Sequence, residues 1–163
     1  MYSLRKLEEK DIEMVKSWLY QEYIVKWFGD ASDWLNEIKG RNNEYNFIHH
    51  FIVESEHKAI GFCQYYNYNQ SPLEDSEIPQ PNGTYGIDYL IGEKNLLGKG
   101  IGKQLVKLIS DKVIEENKNV VRIVADPIIE ETRTNVASIK VLEANQFCYD
   151  EKSNLYKKDI KDI

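Results

Sequence analysis

At 163 residues the chain has the length of one domain, read here as a single domain over 1–163, and that is enough to hide roughly 70% of its unfolded surface. Asp and Glu number 27 against 21 Lys and Arg, a formal charge of −6; this argues against nucleic acid, whose binders carry basic patches, and favours solubility or a cationic partner. No apolar run approaches the length of a membrane span and no charged-then-apolar leader opens the chain, so the expectation is a cytoplasmic protein without membrane contact.

Residues 2–7 alternate as a first strand. Glu8, Glu9 and Asp11 put acids where a helix macrodipole favours them. Ile12, Val15, Trp18 and Leu19 recur at helical spacing and predict a helix over 11–20. Tyr23 to Gly29 is an aromatic-rich segment closed by glycine, and 33–39 is a short helix ended by Gly40. After a polar loop over 40–46, His49–Glu54 and Ala59–Tyr66 form a hairpin about a turn at 55–58. Residues 67–83 make a long loop, and such loops are often functional. A strand at 84–91, a helix at 102–116, a strand at 119–126 and a helix at 134–144 follow, the last capped by Thr134 or Asn135. Segments 147–150 and 155–158 close the chain as strands. Helices alternate with strands in the second half and a hairpin sits in the first, which predicts a mixed α/β sheet.

The stretch around which the chemistry gathers is the strand 84–91, the glycine turn and the helix after it. Gly98, Gly100 and Gly102 fall where that helix begins. Glycines let backbone approach a ligand, and the N–H groups of a helix start favour phosphate. The spacing lacks the later glycine of the dinucleotide fingerprint and the Gly-Lys-Ser/Thr ending of a P-loop. Asp88 lies mid-strand between apolar neighbours, where burial without a partner is costly; it needs either a structural partner or a role as a base. Asp126 ends its strand before Pro127, at the carboxyl edge where open α/β sheets bind ligands, or simply starts a turn. Trp27 and Phe28 form either a stacking wall or part of the core. The acids at 74–77, Asp75 among them, are a solvated loop or a reach toward a cation. Cys63 and Cys148 read as small buried side chains with no metal or disulfide pattern, and the three histidines have no metal partner set.

Together these residues resemble the GNAT acetyltransferases over about residues 3–158, and more narrowly the aminoglycoside 6′-N-acetyltransferases. Four stretches carry the resemblance: Ile24 to Gly29, Ile60 to Tyr65, Tyr85 to Glu93 running into the acyl-CoA motif at Leu97 to Gly102, and Ala125 to Pro127 followed by Asn135 to Ile139. It implies a mostly antiparallel sheet with a splayed parallel strand pair and flanking helices. Acetyl-CoA is implied in the splay, against Leu90, Ile91, Leu97, Gly98, Lys99, Gly100, Ile101, Gly102, Lys103, Asn135 and Ser138. Asp88 is implied as the base that serves the acceptor amine, and Trp27, Phe28, Asp75 and Asp126 as its companions around a small cationic substrate. No metal is implied, and monomer and homodimer both remain open.

The chain also departs from that family. Leu142 stands where the family usually has Tyr, often credited as the acid for the leaving thiolate, and Gln146 stands where it has Gly. The helix end at Gln146 is therefore expected to use a different cap. The resemblance implies direct acetyl transfer in a ternary complex, to an aminoglycoside 6′-amine. Two alternatives stand beside it: transfer to another amine or hydroxylamine (a polyamine, a siderophore precursor, a protein N-terminus), or a regulatory domain that binds CoA without catalysis.

Overall fold

The computed structural model describes residues 1–72 and 78–160. In chain order its elements are β1 (Tyr2–Lys6), α1 (Ile12–Leu19), α2 (Glu22–Phe28), α3 (Ala31–Lys39), β2 (Ile48–Ser55), β3 (Lys58–Asn67), β4 (Thr84–Ile91), α4 (Ile101–Glu116), β5 (Arg122–Ala125), α5 (Val136–Ala144), β6 (Cys148–Asp150) and β7 (Leu155–Asp159). The strands make one sheet in the order β1-β2-β3-β4-β5-β7-β6. Every neighbouring pair is antiparallel except β4 with β5. The expected mixed sheet with one parallel pair is the fold observed.

Period-two alternation decides which helices cover which face. Ile52, Phe62 and Leu90 turn to one side and bury against α1, α2 and α3 through Val15, Leu19, Ile24, Leu35 and Ile38. Phe51, Val53, Cys63, Tyr65, Ile87 and Ile123 turn to the other. There α4 presents Leu105, Val106, Ile109 and Val113, each fully buried, at the 3.6-residue spacing of one helix face. Burying each such side chain contributes about 1.5–3 kcal/mol. Among the described residues no helix is long and apolar enough to cross a membrane.

Three expectations are corrected, and one segment left unassigned is resolved. The aromatic segment after α1 is the helix α2, because Tyr23 Oη donates to the carbonyls of Ile91 and Gly92, and Gln21 Nε2 also donates to Gly92. Those tertiary bonds outweigh the strand preference of Tyr, Ile, Val, Trp and Phe. Strand β5 is four residues, not eight; Val121 is exposed and spends its N–H on Gly83 O. Cys63 is buried as expected, but Cys148 is exposed, because it lies on β6 at the sheet edge. The end of α5 keeps the ordinary glycine-type cap with glutamine in it. Gln146 has φ +70°, Phe147 N–H donates to Leu142 O and Gln146 N–H to Glu143 O, the paired bonds of a Schellman motif.

Candidate active site

Strands β4 and β5 pair only over Thr84–Gly86 against Arg122–Val124, whereas β3 follows β4 out to Ile91. Strand β5 stays with β7 through Ala125, and Pro127 has no N–H to extend a ladder. The two strands therefore part at Ile87. The wedge is a cleft of about 550 Å³, lined along one side by Ile87 through Ile91 and along the other by Ala125 through Ile128. Helix α2 links its two sides, held to the end of β4 by Tyr23 and to the segment after β5 by Arg133 Nη1, which donates to Lys26 O at 2.6 Å. Trp27 and Phe28 line the cleft from α2, and Trp34 joins them from α3.

The glycine turn closes one end. Gly98 and Gly100 have φ +75° and +77°, where side chains are strained, and space beside both is open. Gly100 is the N-cap of α4, and no side chain caps that helix. The first-turn N–H groups, left without intrahelical partners, thus open on the cleft that Gly98, Gly100, Ile101 and Gly102 line. Gly102 serves packing as well, since a Cβ there would press on Val141 of α5 at 3.2 Å. Positive-φ glycines, an uncapped helix start and an adjoining cleft fit a phosphate-bearing coenzyme with an extended tail.

The same lining carries the carboxylates Asp88 and Asp126, and Glu37 stands close to Asp88 without lining the cleft. Asp88 is flanked in the β3–β4 ladder by Gln64, whose Nε2 donates to Asp88 Oδ2 at 2.9 Å. Burial lifts the Asp88 carboxyl from its ordinary 3.8 to about 6; the Gln64 hydrogen bond opposes that rise and the charge of Asp126 adds to it. Glu37 of α3 lies near enough to feel Asp88 and is pushed from 4.5 to about 7, first by burial and then by the charges of Asp88 and Asp33. Tyr66 fills the space over Gly86 that a Cβ would need. Its phenol is held well above the ordinary range by burial, and then by Asp88, Tyr68, Asp126 and Glu37. Mutually repelling acids at and beside a cleft are the arrangement that can hold cations or move protons.

Of the residues singled out from the sequence, Trp27, Phe28, Asp88, Leu90, Ile91, Leu97, Gly98, Gly100, Ile101, Gly102, Asp126, Asn135 and Ser138 all line this one cleft. Lys99 and Lys103 are exposed and do not line it, and Lys107 pairs with Asp111 at 2.6 Å. Asp75 lies outside the described residues. Asn135 is the N-cap of α5, its Oδ1 accepting from Ser138 N–H at 3.1 Å. Glu37, Gln64, Tyr66 and Tyr89 were missed. Only Gln64 had a usable signal, since pairing strands 59–66 and 84–91 as antiparallel neighbours sets it opposite Asp88.

Over 123 residues the chain is 27% identical to the aminoglycoside N(6')-acetyltransferase type 1 of Klebsiella pneumoniae, a match covering 70% of this chain and 60% of that protein. The chain therefore spans about 60% of the length of the curated relatives it matches. The crystal structure of aminoglycoside acetyltransferase AAC(6')-Ib with coenzyme A superposes with a TM-score of 0.78 at 24% identity, covering 98% of this chain and 95% of that one. The same enzyme with parmomycin and acetyl-CoA gives a TM-score of 0.78 at 24% identity, covering 97% and 93%. At that identity the structural likeness speaks for the fold alone. A family model for the acetyltransferase (GNAT) domain matches residues 8–155, and the chain belongs to that family.

Proposed function

We propose that this protein is an acetyl-CoA-dependent N-acetyltransferase that acts by direct transfer in a ternary complex, with the 6′-amino group of an aminoglycoside as acceptor. The observation that carries the reading is the single cleft running from the glycine-opened start of α4 to the carboxylate of Asp88. In this reading the N–H groups of Gly98 to Gly102 hold the pyrophosphate, with Lys99 and Lys103 adding positive charge nearby. Leu90, Ile91, Leu97, Asn135 and Ser138 flank the rest of the coenzyme. The coenzyme supplies the thioester to be attacked.

The acceptor end does the proton chemistry. An amine attacks only when neutral, yet free amines are mostly protonated near pH 7. Asp88 attracts the ammonium and takes its proton, directly or through water. A carboxyl held at about 6 is largely ionised at neutral pH and is a stronger base than an ordinary aspartate. Asp126 and Glu37 give further anionic positions, which matches an acceptor with several amino groups, and Trp27 and Phe28 give it an apolar wall.

Release of CoA thiol by the purified protein with a panel of aminoglycosides, linear polyamines and peptides tests the reading. Turnover on aminoglycosides with a free 6′-amine, and loss of it on analogues lacking that amine, is the expected result. Turnover confined to polyamines overturns the acceptor; acetyl-CoA binding with no turnover on any amine overturns the enzyme and leaves a coenzyme-binding domain.

A further inference from the structure

Acetyl transfer from a thioester leaves a thiolate, and the cleft must accommodate that charge. Leu142, which the family resemblance sets at a tyrosine position, is fully buried in the core and does not line the cleft. Among the described residues only Tyr23, Tyr89 and Ser138 bring hydroxyl groups to the cleft wall. The Tyr23 hydroxyl is committed to the carbonyls of Ile91 and Gly92 at 2.8 and 2.9 Å. The remaining two are bonded to each other, Tyr89 Oη to Ser138 Oγ at 2.5 Å.

We propose that Tyr89 is the hydrogen-bond donor to the leaving thiolate, with Ser138 as the residue that positions it. Either oxygen of the pair can be the donor. With Ser138 donating to Tyr89 Oη, the phenolic proton is left for the cleft. Ser138 is itself fixed in the first turn of α5 by the Asn135 cap, four residues before Leu142 and on the same helix face. The donor thus enters the neighbourhood of α5 from β4 rather than from α5 itself. Asp88 and Tyr89 are consecutive on β4, so their side chains leave opposite faces of the strand, yet both line the splay. The proton acceptor and the thiolate donor are kept from pairing with one another while serving one cleft.

The neutral amine forms the new C–N bond, the electron pair of the broken C–S bond goes to sulfur, and the proton then lost from nitrogen goes to Asp88, which has passed the earlier ammonium proton to water. Burial holds the Tyr89 phenol above its ordinary range, so it stays protonated and donates a hydrogen bond instead of surrendering its proton. The thiolate, with a reference pKa of about 8.5, then leaves as such or is protonated by water. A hydrogen bond to a charged group corresponds to roughly a 10- to 100-fold effect.

This inference rests on the acetyl-transfer reading above, and its test separates the two. The dissociation constant of free CoA is measured against pH for the wild-type protein, Tyr89→Phe, Ser138→Ala and Ser138→Thr, with desulfo-CoA as control. In the wild type CoA binding tightens as the thiol ionises, about 10- to 100-fold between the thiol and thiolate limits, and desulfo-CoA shows no such change. Tyr89→Phe removes the tightening and lowers kcat by a similar factor with the KM for acetyl-CoA little changed. Ser138→Ala gives a smaller loss that Ser138→Thr restores. Absence of CoA binding by the wild type overturns the coenzyme reading and this inference with it. CoA binding with the same pH dependence in wild type and Tyr89→Phe, or a Tyr89→Phe kcat within about twofold of wild type, overturns the Tyr89 assignment alone; the threshold is well below the smallest effect expected of a charged hydrogen bond.

Discussion

Replacing Asp88 by Asn separates the proposed base from the fold that carries it. The amide is isosteric, and its oxygen can still accept from Gln64 Nε2, which now donates to Asp88 at 2.9 Å. Coenzyme binding, proposed against the glycine turn, should persist. Turnover should fall by about 10²- to 10⁴-fold, the usual contribution of a positioned base, equivalent to roughly 3–5 kcal/mol of barrier. The wild-type carboxyl should titrate near 6, and two neighbours should move it in opposite directions. Gln64→Leu removes the bond that stabilises the charged form, worth about 1.5–3 kcal/mol to an ion, and should raise the carboxyl by roughly 1–2 units. Asp126→Asn removes a repelling charge and should lower it. Carbon NMR of the labelled carboxyl, assigned by its loss in Asp88→Asn, reads these shifts, and CoA thiol release reads kcat. Undiminished turnover in Asp88→Asn, or shifts of the same sign for Gln64→Leu and Asp126→Asn, would refute the reasoning.

Gly100→Ala forces a side chain onto φ +77° at the cap of α4; with roughly 1 kcal/mol of backbone strain it should weaken CoA binding about 5- to 10-fold by calorimetry while leaving the pH titration of Asp88 in place. Gln146→Gly relieves the left-handed residue at the end of α5 and should raise stability by about 0.5–1 kcal/mol in urea unfolding, with kcat unchanged.

Local pattern carried the sheet a long way. Alternation in β2, β3 and β4 and the 3.6-residue repeat of α4 are each written in one contiguous segment, so the strands and that helix could be read in order. The splay could not be read that way. It depends on β5 ending at Ala125 and on β4 continuing to Ile91, a difference between two strands that no single window contains. Helix α2 was hidden for a related reason: its Tyr23 and Gln21 bonds reach to residues 91 and 92, and without them its composition favours a strand. Asp88 stood out because an acid inside an apolar strand is anomalous on its face. Glu37 did not, because a charged residue on a polar helix is the commonest thing to find there; only the packing of α3 beside β4 brings it to Asp88.

That convergence has a thermodynamic consequence. Asp88 and Glu37 are raised in the folded protein from 3.8 to about 6 and from 4.5 to about 7. Between those limits the folded state holds protons that the unfolded chain has released, so stability must fall as pH rises from about 4 to about 7, then level off. A rise of about 2 units at Asp88 corresponds to at most about 3 kcal/mol. Asp88→Asn and Glu37→Gln should each flatten this decline, giving proteins more stable than wild type at pH 8 and similar to it at pH 4. A polycationic acceptor should act like those substitutions, since it neutralises the same carboxylates and stabilises the state that binds it. Its stabilisation of wild type, followed as a melting-temperature shift, should therefore grow from pH 4 to pH 8, and should shrink in Asp88→Asn and Glu37→Gln. A shift independent of pH, or one unchanged in both variants, would place the cation elsewhere and remove the acid cluster from the acceptor site. The carboxylates that weaken the empty fold are, on this reasoning, the ones that recognise the amine, and the stability lost above neutrality measures how strongly the cleft is poised for positive charge.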